Sequence, residues 1–165
     1  MTVAIRRLVV MGVAGSGKTT VGTRLADRLG TEFVDADSAH PPENIDKMAA
    51  GIPLTDADRR PWLLELRRRL ESSERVVVTC SALRRPYRDL LRDVDDVSFL
   101  FLDVDRATVL ERLNARRGHF MKADMVASQF DALEPPEPDE HDIVAVDATQ
   151  PIAHVLDLLV ARLDS

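Results

Sequence analysis

Gly12-Val13-Ala14-Gly15-Ser16-Gly17-Lys18-Thr19 is the stretch on which the reading of this 165-residue chain turns. It meets the pattern G-x-x-x-x-G-K-[ST] at every fixed position, and it lies between an apolar run, Arg6–Met11, and a helical pattern, Lys18–Leu29. That strand-to-helix context is the one in which the pattern has physical meaning. Glycines let the backbone curl so that successive N–H groups point at one anion. The start of the following helix adds the positive end of its dipole. Lys18 is placed to reach β- and γ-phosphates, and the Thr19 hydroxyl suits Mg²⁺. A glycine turn that merely joins strand to helix has no need of Lys18 and Thr19 together. The nucleotide-binding set read from the loop is Gly12, Val13, Ala14, Gly15, Ser16, Gly17, Lys18, Thr19 and Thr20.

Outward from this loop, short β-branched runs alternate with periodic segments. Arg6–Met11, Glu32–Val34, Arg75–Cys80, Val97–Leu102 and Ile143–Val146 read as strands, most of them almost continuously apolar, as in a parallel sheet covered on both faces. Lys18–Leu29, Arg60–Leu70, Arg85–Leu91 and Arg106–Arg116 read as helices. A last helix, Ile152–Leu163, carries Val155, Leu158, Leu159 and Leu163 on one side. The alternation predicts a doubly wound α/β fold with right-handed crossovers: three layers around a parallel five-stranded sheet. Pro135, Pro136 and Pro138 forbid helix in Glu134–Glu140, which reads as a rigid loop before the last strand.

Composition narrows the function classes. The length suits one domain with one core, and 45% hydrophobic with 30% charged residues is the balance of a globular protein. The single cysteine, Cys80, excludes an internal disulfide and fits a reducing compartment. Neither a secretory signal nor a membrane-spanning run is legible, so the cytoplasm is the expected location and no membrane partner is expected. A net charge of −6 argues against nucleic acid as the main partner. No guanine-reading Asn-Lys-x-Asp segment is present, and large ATPase machines need far more chain. What fits is a compact kinase of the nucleoside monophosphate kinase type, in which a substrate site and a lid surround the phosphate loop.

Each part of such a kinase has a candidate. Asp35 and Asp37 flank the carboxyl end of the second strand, where ligands of open α/β sheets bind. One carboxylate would support Mg²⁺ and the other would accept a hydroxyl proton. His40, Lys47, Arg59 and Arg60 cluster around a Pro-Pro turn, and arginine's planar fork suits a carboxylate on the acceptor. Trp62, the only tryptophan, reads as a core residue, and Cys80 as a buried strand residue. Ser81 and Ala82 at the end of the third strand permit close approach of a ligand, with Arg84 opening the next helix. Arg112, Arg116, Arg117, His119 and Lys122 surround Gly118, a pattern suited to a lid that brings an arginine to the transferring group. The four histidines are not at metal-ligand spacing, so no structural zinc is expected.

These phrases together resemble the gluconokinase family of short P-loop carbohydrate kinases. Beyond the phosphate loop the resemblance rests on Asp35-Ala36-Asp37 with His40-Pro41, on Asn44 and Lys47-Met48, and on Gly51 through Arg59 with Pro61-Trp62-Leu63. It continues through Cys80 to Arg85, Tyr87-Arg88-Asp89, His119-Phe120-Met121, and Ser128-Gln129-Phe130 with Leu133-Glu134. Ala14, Thr19-Thr20, Ala36 and Ala39 depart from the family's commoner residues. The resemblance implies ATP and Mg²⁺ as cofactors and phosphoryl transfer to the 6-hydroxyl of D-gluconate. It implies one domain over residues 1–165, with a substrate-binding insertion over about 38–72 and a lid over about 116–135. It assigns Lys18, Asp37 and Arg116 to catalysis, with Asp37 as the base, and Thr19 and Asp35 to the metal. Arg112 and Gln150 join the nucleotide set; Asp37, His40, Lys47, Arg59, Ser81, Arg84, His119 and Gln129 form the substrate set. Homodimers are common in such a family. The alternatives are a kinase of another small hydroxy acid or polyol, and an inactive nucleotide-binding regulatory module.

Overall fold

Strands, the central ones almost continuously buried and each followed by a helix, order the chain. The computed structural model describes residues 6–36, 40–115 and 123–163. Five parallel strands form one sheet in the order β2-β3-β1-β4-β5: β1 Arg7–Met11, β2 Glu32–Asp35, β3 Val76–Thr79, β4 Val97–Asp103 and β5 Ile143–Asp147. The register places Leu8 opposite Val77 on one side and Ser98 on the other. Each expected strand is present, with ends shifted by a residue or so.

Because successive strand residues face opposite ways, every strand feeds two cores. On one face, Leu8, Val10, Val77, Leu100 and Leu102 pack with helix α1 (Lys18–Leu29), α5 (Arg106–Ala115), α6 (Ala123–Ala132) and α7 (Ile152–Leu163). On the other, Val9, Met11, Val76, Val78, Phe99 and Phe101 pack with α3 (Asp56–Ser72) and α4 (Arg85–Arg92). The expected three-layer α/β architecture is the observed one.

Four helical details differ from the sequence reading. A short helix, α2 (Pro42–Ala49), follows β2 where no helix was expected. Proline at its first position needs no N–H there, so Pro41-Pro42 starts a helix where it reads as a turn. Helix α3 begins at Asp56, not at Arg60, because Thr55 and Asp58 close a capping box: Asp58 N donates to Thr55 Oγ1 at 3.1 Å, and Thr55 N to Asp58 Oδ2 at 2.9 Å. The helix runs through Pro61, which loses one backbone bond but sits on the exposed face. Helix α6 lies inside the range read as a lid. In α7 the buried stripe is Val155, Leu156 and Leu159, and Leu158 faces solvent.

Loop 134–140 is rigid for a reason the prolines alone do not supply. Arg88, wholly buried, pairs with Glu140 through two bonds of 2.9 and 3.0 Å. Arg88 Nη1 also donates to Ala82 O, Leu83 O and Glu134 O. Burial pushes the Glu140 carboxyl pKa up, but the bonds from Arg88 and Arg92 outweigh it and hold the pKa down at about 2.

Candidate active site

The carboxyl ends of β1 and β3 open into a cleft of about 790 Å³. Ala14, Gly15, Gly17, Lys18 and Thr19 form one wall. His40, the segment Met48–Leu54, Arg59, Trp62 and Tyr87 form the other, with Ser81–Leu83 at its base and Ser128 and Gln129 across from them.

On the phosphate side the geometry belongs to the backbone. Gly12 has φ 151°, and a side chain there would strike Ser16 Oγ at 2.9 Å and Leu102 O at 3.2 Å. Gly17, at φ 100°, caps α1 with no side chain over the first-turn N–H groups, leaving them open to an anion. Lys18 is folded into the loop, its Nζ donating to Gly12 O at 2.9 Å and Val13 O at 3.1 Å. The Ser16 hydroxyl is buried with no hydrogen-bond partner among the described residues, a donor waiting for an acceptor inside the loop. This set fits a polyphosphate.

Three outside groups hold that loop. Arg112 Nη1 donates to Ser16 O at 3.1 Å, while its Nη2 reaches Ala148 O and, at 3.4 Å, Gln150 O. Arg112 therefore ties the phosphate loop to the segment after β5 and spends its donors on backbone carbonyls. Gln129 Oε1 accepts from Ala14 N at 3.1 Å, binding α6 to the same loop. Gly12 N donates to Ser81 O at 3.3 Å, which locks the loop to the end of β3.

The opposite wall is made of side chains from four elements. Trp62 Nε1 donates to Ala36 O at 2.7 Å, fixing the end of β2, and the indole stacks on His40 with centroids 4.2 Å apart. Trp62 is thus core, as expected, and cleft wall as well. The capping box places Asp56 and Arg59 one turn apart at the start of α3. Tyr87, on α4, donates its hydroxyl proton to Asp56 Oδ1 and accepts from Arg59 Nη1 at 3.0 Å. Arg84 bonds Glu134 at 3.0 Å and both oxygens of Asp56.

Of the substrate set, the cleft gathers His40, Arg59, Ser81 and Gln129. Lys47 and Arg84 are not among its lining residues. Lys47 pairs with Asp58 at 2.8 Å, a bond that heads the causes holding the Asp58 carboxyl down at about 2. Thr20 is half-exposed on α1, and Val13 belongs to the core. Asp37, Arg116, Arg117, His119 and Lys122 lie outside the described residues. Asp56, Tyr87 and Glu134 were missed as site residues. Tyr87, the sole tyrosine, stood in a family phrase, but nothing in the sequence ties it to a residue 31 positions away.

Comparison with known proteins resolves which kinase this arrangement belongs to. The sequence model of the shikimate kinase family matches residues 14–162, so the chain carries that family's domain. It is 47% identical over 152 residues to the thermosensitive gluconokinase of Escherichia coli K12, covering 89% of this chain and 81% of that protein. The chain belongs to the gluconokinase family. A second member, from Gluconobacter oxydans, is 49% identical over 140 residues, covering 82% of this chain and 79% of that gluconokinase. The crystal structure of a gluconokinase from Sinorhizobium meliloti superposes with a TM-score of 0.91 at 46% identity, covering 97% and 92% of the two chains. The family membership expected from the sequence holds.

Proposed function

We propose that the protein is an ATP-dependent gluconokinase, transferring the γ-phosphoryl group of ATP to the 6-hydroxyl of D-gluconate to give 6-phospho-D-gluconate and ADP. The observation that carries this reading is one cleft with a backbone phosphate cradle on one side and a cationic, hydrogen-bonding wall on the other. A new O–P bond forms at the acceptor hydroxyl as the bond to the β,γ-bridging oxygen breaks, and the hydroxyl proton passes to a base. Asp37 is the base by resemblance, and it follows by two positions Asp35, where β2 ends. Lys18 and the open N–H groups of α1 hold the phosphates and offset the charge that shifts during transfer. Arg59 takes the gluconate carboxylate. Arg116 and His119 act from the lid over about 116–135, and Lys47 and Arg84 support the acceptor wall from behind.

The residues also suit magnesium. Thr19 offers a hydroxyl at the cleft. Asp35 offers a carboxylate, whose Oδ1 accepts from Thr79 at 3.3 Å. When bound, the ion would neutralise β- and γ-phosphate charge.

No helix among the described residues is long and apolar enough to cross a membrane. A homodimer working in the cytoplasm completes the reading.

The test is ADP release with Mg²⁺-ATP against gluconate, shikimate, glycerate and nucleoside monophosphates. Turnover confined to gluconate is the expected outcome, and activity with another acid alone overturns the acceptor assignment. Asp37→Asn is expected to keep nucleotide affinity while losing transfer; a variant with undiminished transfer removes Asp37 as the base.

A further inference from the structure

Two arginines meet the one tyrosine of the cleft, and their charges are balanced differently. Arg84 lies 5.9 Å from the Tyr87 ring centroid and is matched by two carboxylates, Asp56 and Glu134. Arg59 lies 5.5 Å from the same ring, and its hydrogen bond goes to the neutral Tyr87 oxygen. It forms no ion pair among the described residues, and it lines the cleft where Arg84 does not. Both guanidiniums stay charged, but Asp56 reaches Arg59 only through space, across the Tyr87 oxygen, whereas Arg84 is bonded directly to two carboxylates, so the positive potential of Arg59 is the less compensated.

A phenol has one proton to give and lone pairs to receive with. Asp56 takes the proton of Tyr87, so the oxygen's lone pairs are left for Arg59 Nη1. Asp56 is itself anchored by Arg84 and by its place in the capped first turn of α3. The relay thus runs from Arg84 to Asp56 to Tyr87 to Arg59, and its last two members line the cleft. Burial, and then the bond to Asp56, raise the Tyr87 pKa, so the phenol stays protonated at neutral pH.

We propose that Tyr87 is a positioning residue for acid acceptors: its hydroxyl, oriented by Asp56, fixes the Arg59 guanidinium against the cleft without neutralising it, so that Arg59 binds the acceptor's carboxylate. This rests on the reading that the acceptor is an acid. It assigns Arg84 the part of strut and Arg59 the part of ligand, a division that sequence reading leaves open. Tyr87 lines the cleft as well, and the part assigned to it here is to act through Arg59.

A double-mutant cycle tests it. Tyr87→Phe keeps the ring, and with it the contacts of both guanidiniums with its face and the core packing, and removes only the hydroxyl. The expected result is a rise of about tenfold in the KM for gluconate, from the loss of a hydrogen bond to a charged group. The KM for ATP and the melting temperature should stay near those of the unaltered protein. Arg59→Met is expected to raise the gluconate KM further. In the Arg59→Met background, Tyr87→Phe should change it by less than about twofold, because its effect runs through the missing guanidinium. Independent, multiplying effects would overturn the proposal, as would an unchanged gluconate KM in Tyr87→Phe or an equal rise for ATP. If the unaltered protein turns over gluconate but the cycle is additive, the relay fails and the function stands. If no acid supports turnover, both fall together.

Discussion

The two walls of the cleft are built on opposite plans. On the phosphate side, Lys18 bonds carbonyls five and six positions away, and eight consecutive residues make the cradle. On the acceptor side, Arg59 meets Tyr87 across 28 positions, Arg84 meets Glu134 across 50, and Arg88 meets Glu140 across 52. The shape of the cradle comes from a few local dihedral angles, and Arg112, Gln129 and Ser81 tie it to the rest of the fold. A wall assembled from distant side chains depends on the core behind it. Damage on the first side should therefore reach chemistry without reaching the fold, and damage on the second should reach stability or acceptor affinity first.

Lys18→Ala is the severest test of this contrast. Turnover is expected to fall on the order of 10³-fold, as when a group that stabilises the transferring phosphoryl is removed. The melting temperature should barely move. Activity within tenfold of the unaltered protein would break the assignment of the cradle.

Glu140→Ala probes the other plan. It strands Arg88 as an unpaired buried charge, which costs about 3–5 kcal/mol, a drop of about 10 °C in melting temperature for a chain of this size. The same pair sets an acid limit. The Glu140 carboxyl stays ionised in the folded state down to about 2, whereas the unfolded group takes its proton near 4.5. Between those values the unfolded chain binds more protons, so the pair's stabilisation is full above 4.5 and drains away as pH falls toward 2. Thermal melts of the unaltered protein and Glu140→Gln across that range should converge at the acid end. Parallel curves would mean that the pair carries no such linkage.

Thr55→Ala should have the smallest effect. Losing the cap of α3 costs about 1 kcal/mol, and Asp56 and Arg59 stand in the turn that frays. A modest rise in gluconate KM with ATP KM unchanged is expected; equal rises in both would blur the distinction between the walls.

Legibility followed the same divide. The strands, the parallel sheet and the cradle could be read because each is a contiguous pattern: a β-branched run, or glycines at fixed spacing before Lys18. Helix α2 was not, since Pro41-Pro42 marks a turn and a helix start alike. The first turn of α3 was not, since its signal is the capping box between Thr55 and Asp58, two residues three positions apart that compete with Pro61 in a reading by periodicity. Lys47 and Arg59 look alike in sequence as basic residues near a glycine. Only folding shows that Asp58 bonds the first directly and that a phenol, not a carboxylate, bonds the second. Arg112 belongs to the nucleotide set by resemblance, and nothing in its sequence neighbourhood announces the bonds the fold gives it, to Ser16 O in the phosphate loop and to Ala148 O and Gln150 O after β5.

The clamp around Arg88 also bears on how the molecule breathes. Loop 134–140 runs over the surface with three prolines, yet the Glu134 N–H is bonded to Leu83 O and the Glu137 N–H to Glu140 Oε2. Prolines carry no amide proton, so these two hydrogens are among the few reporters the loop has. Both are released only when the ion pair behind them lets go. Their exchange with solvent should be as slow as that of the central strands, which makes a surface segment a gauge of how often the interior opens.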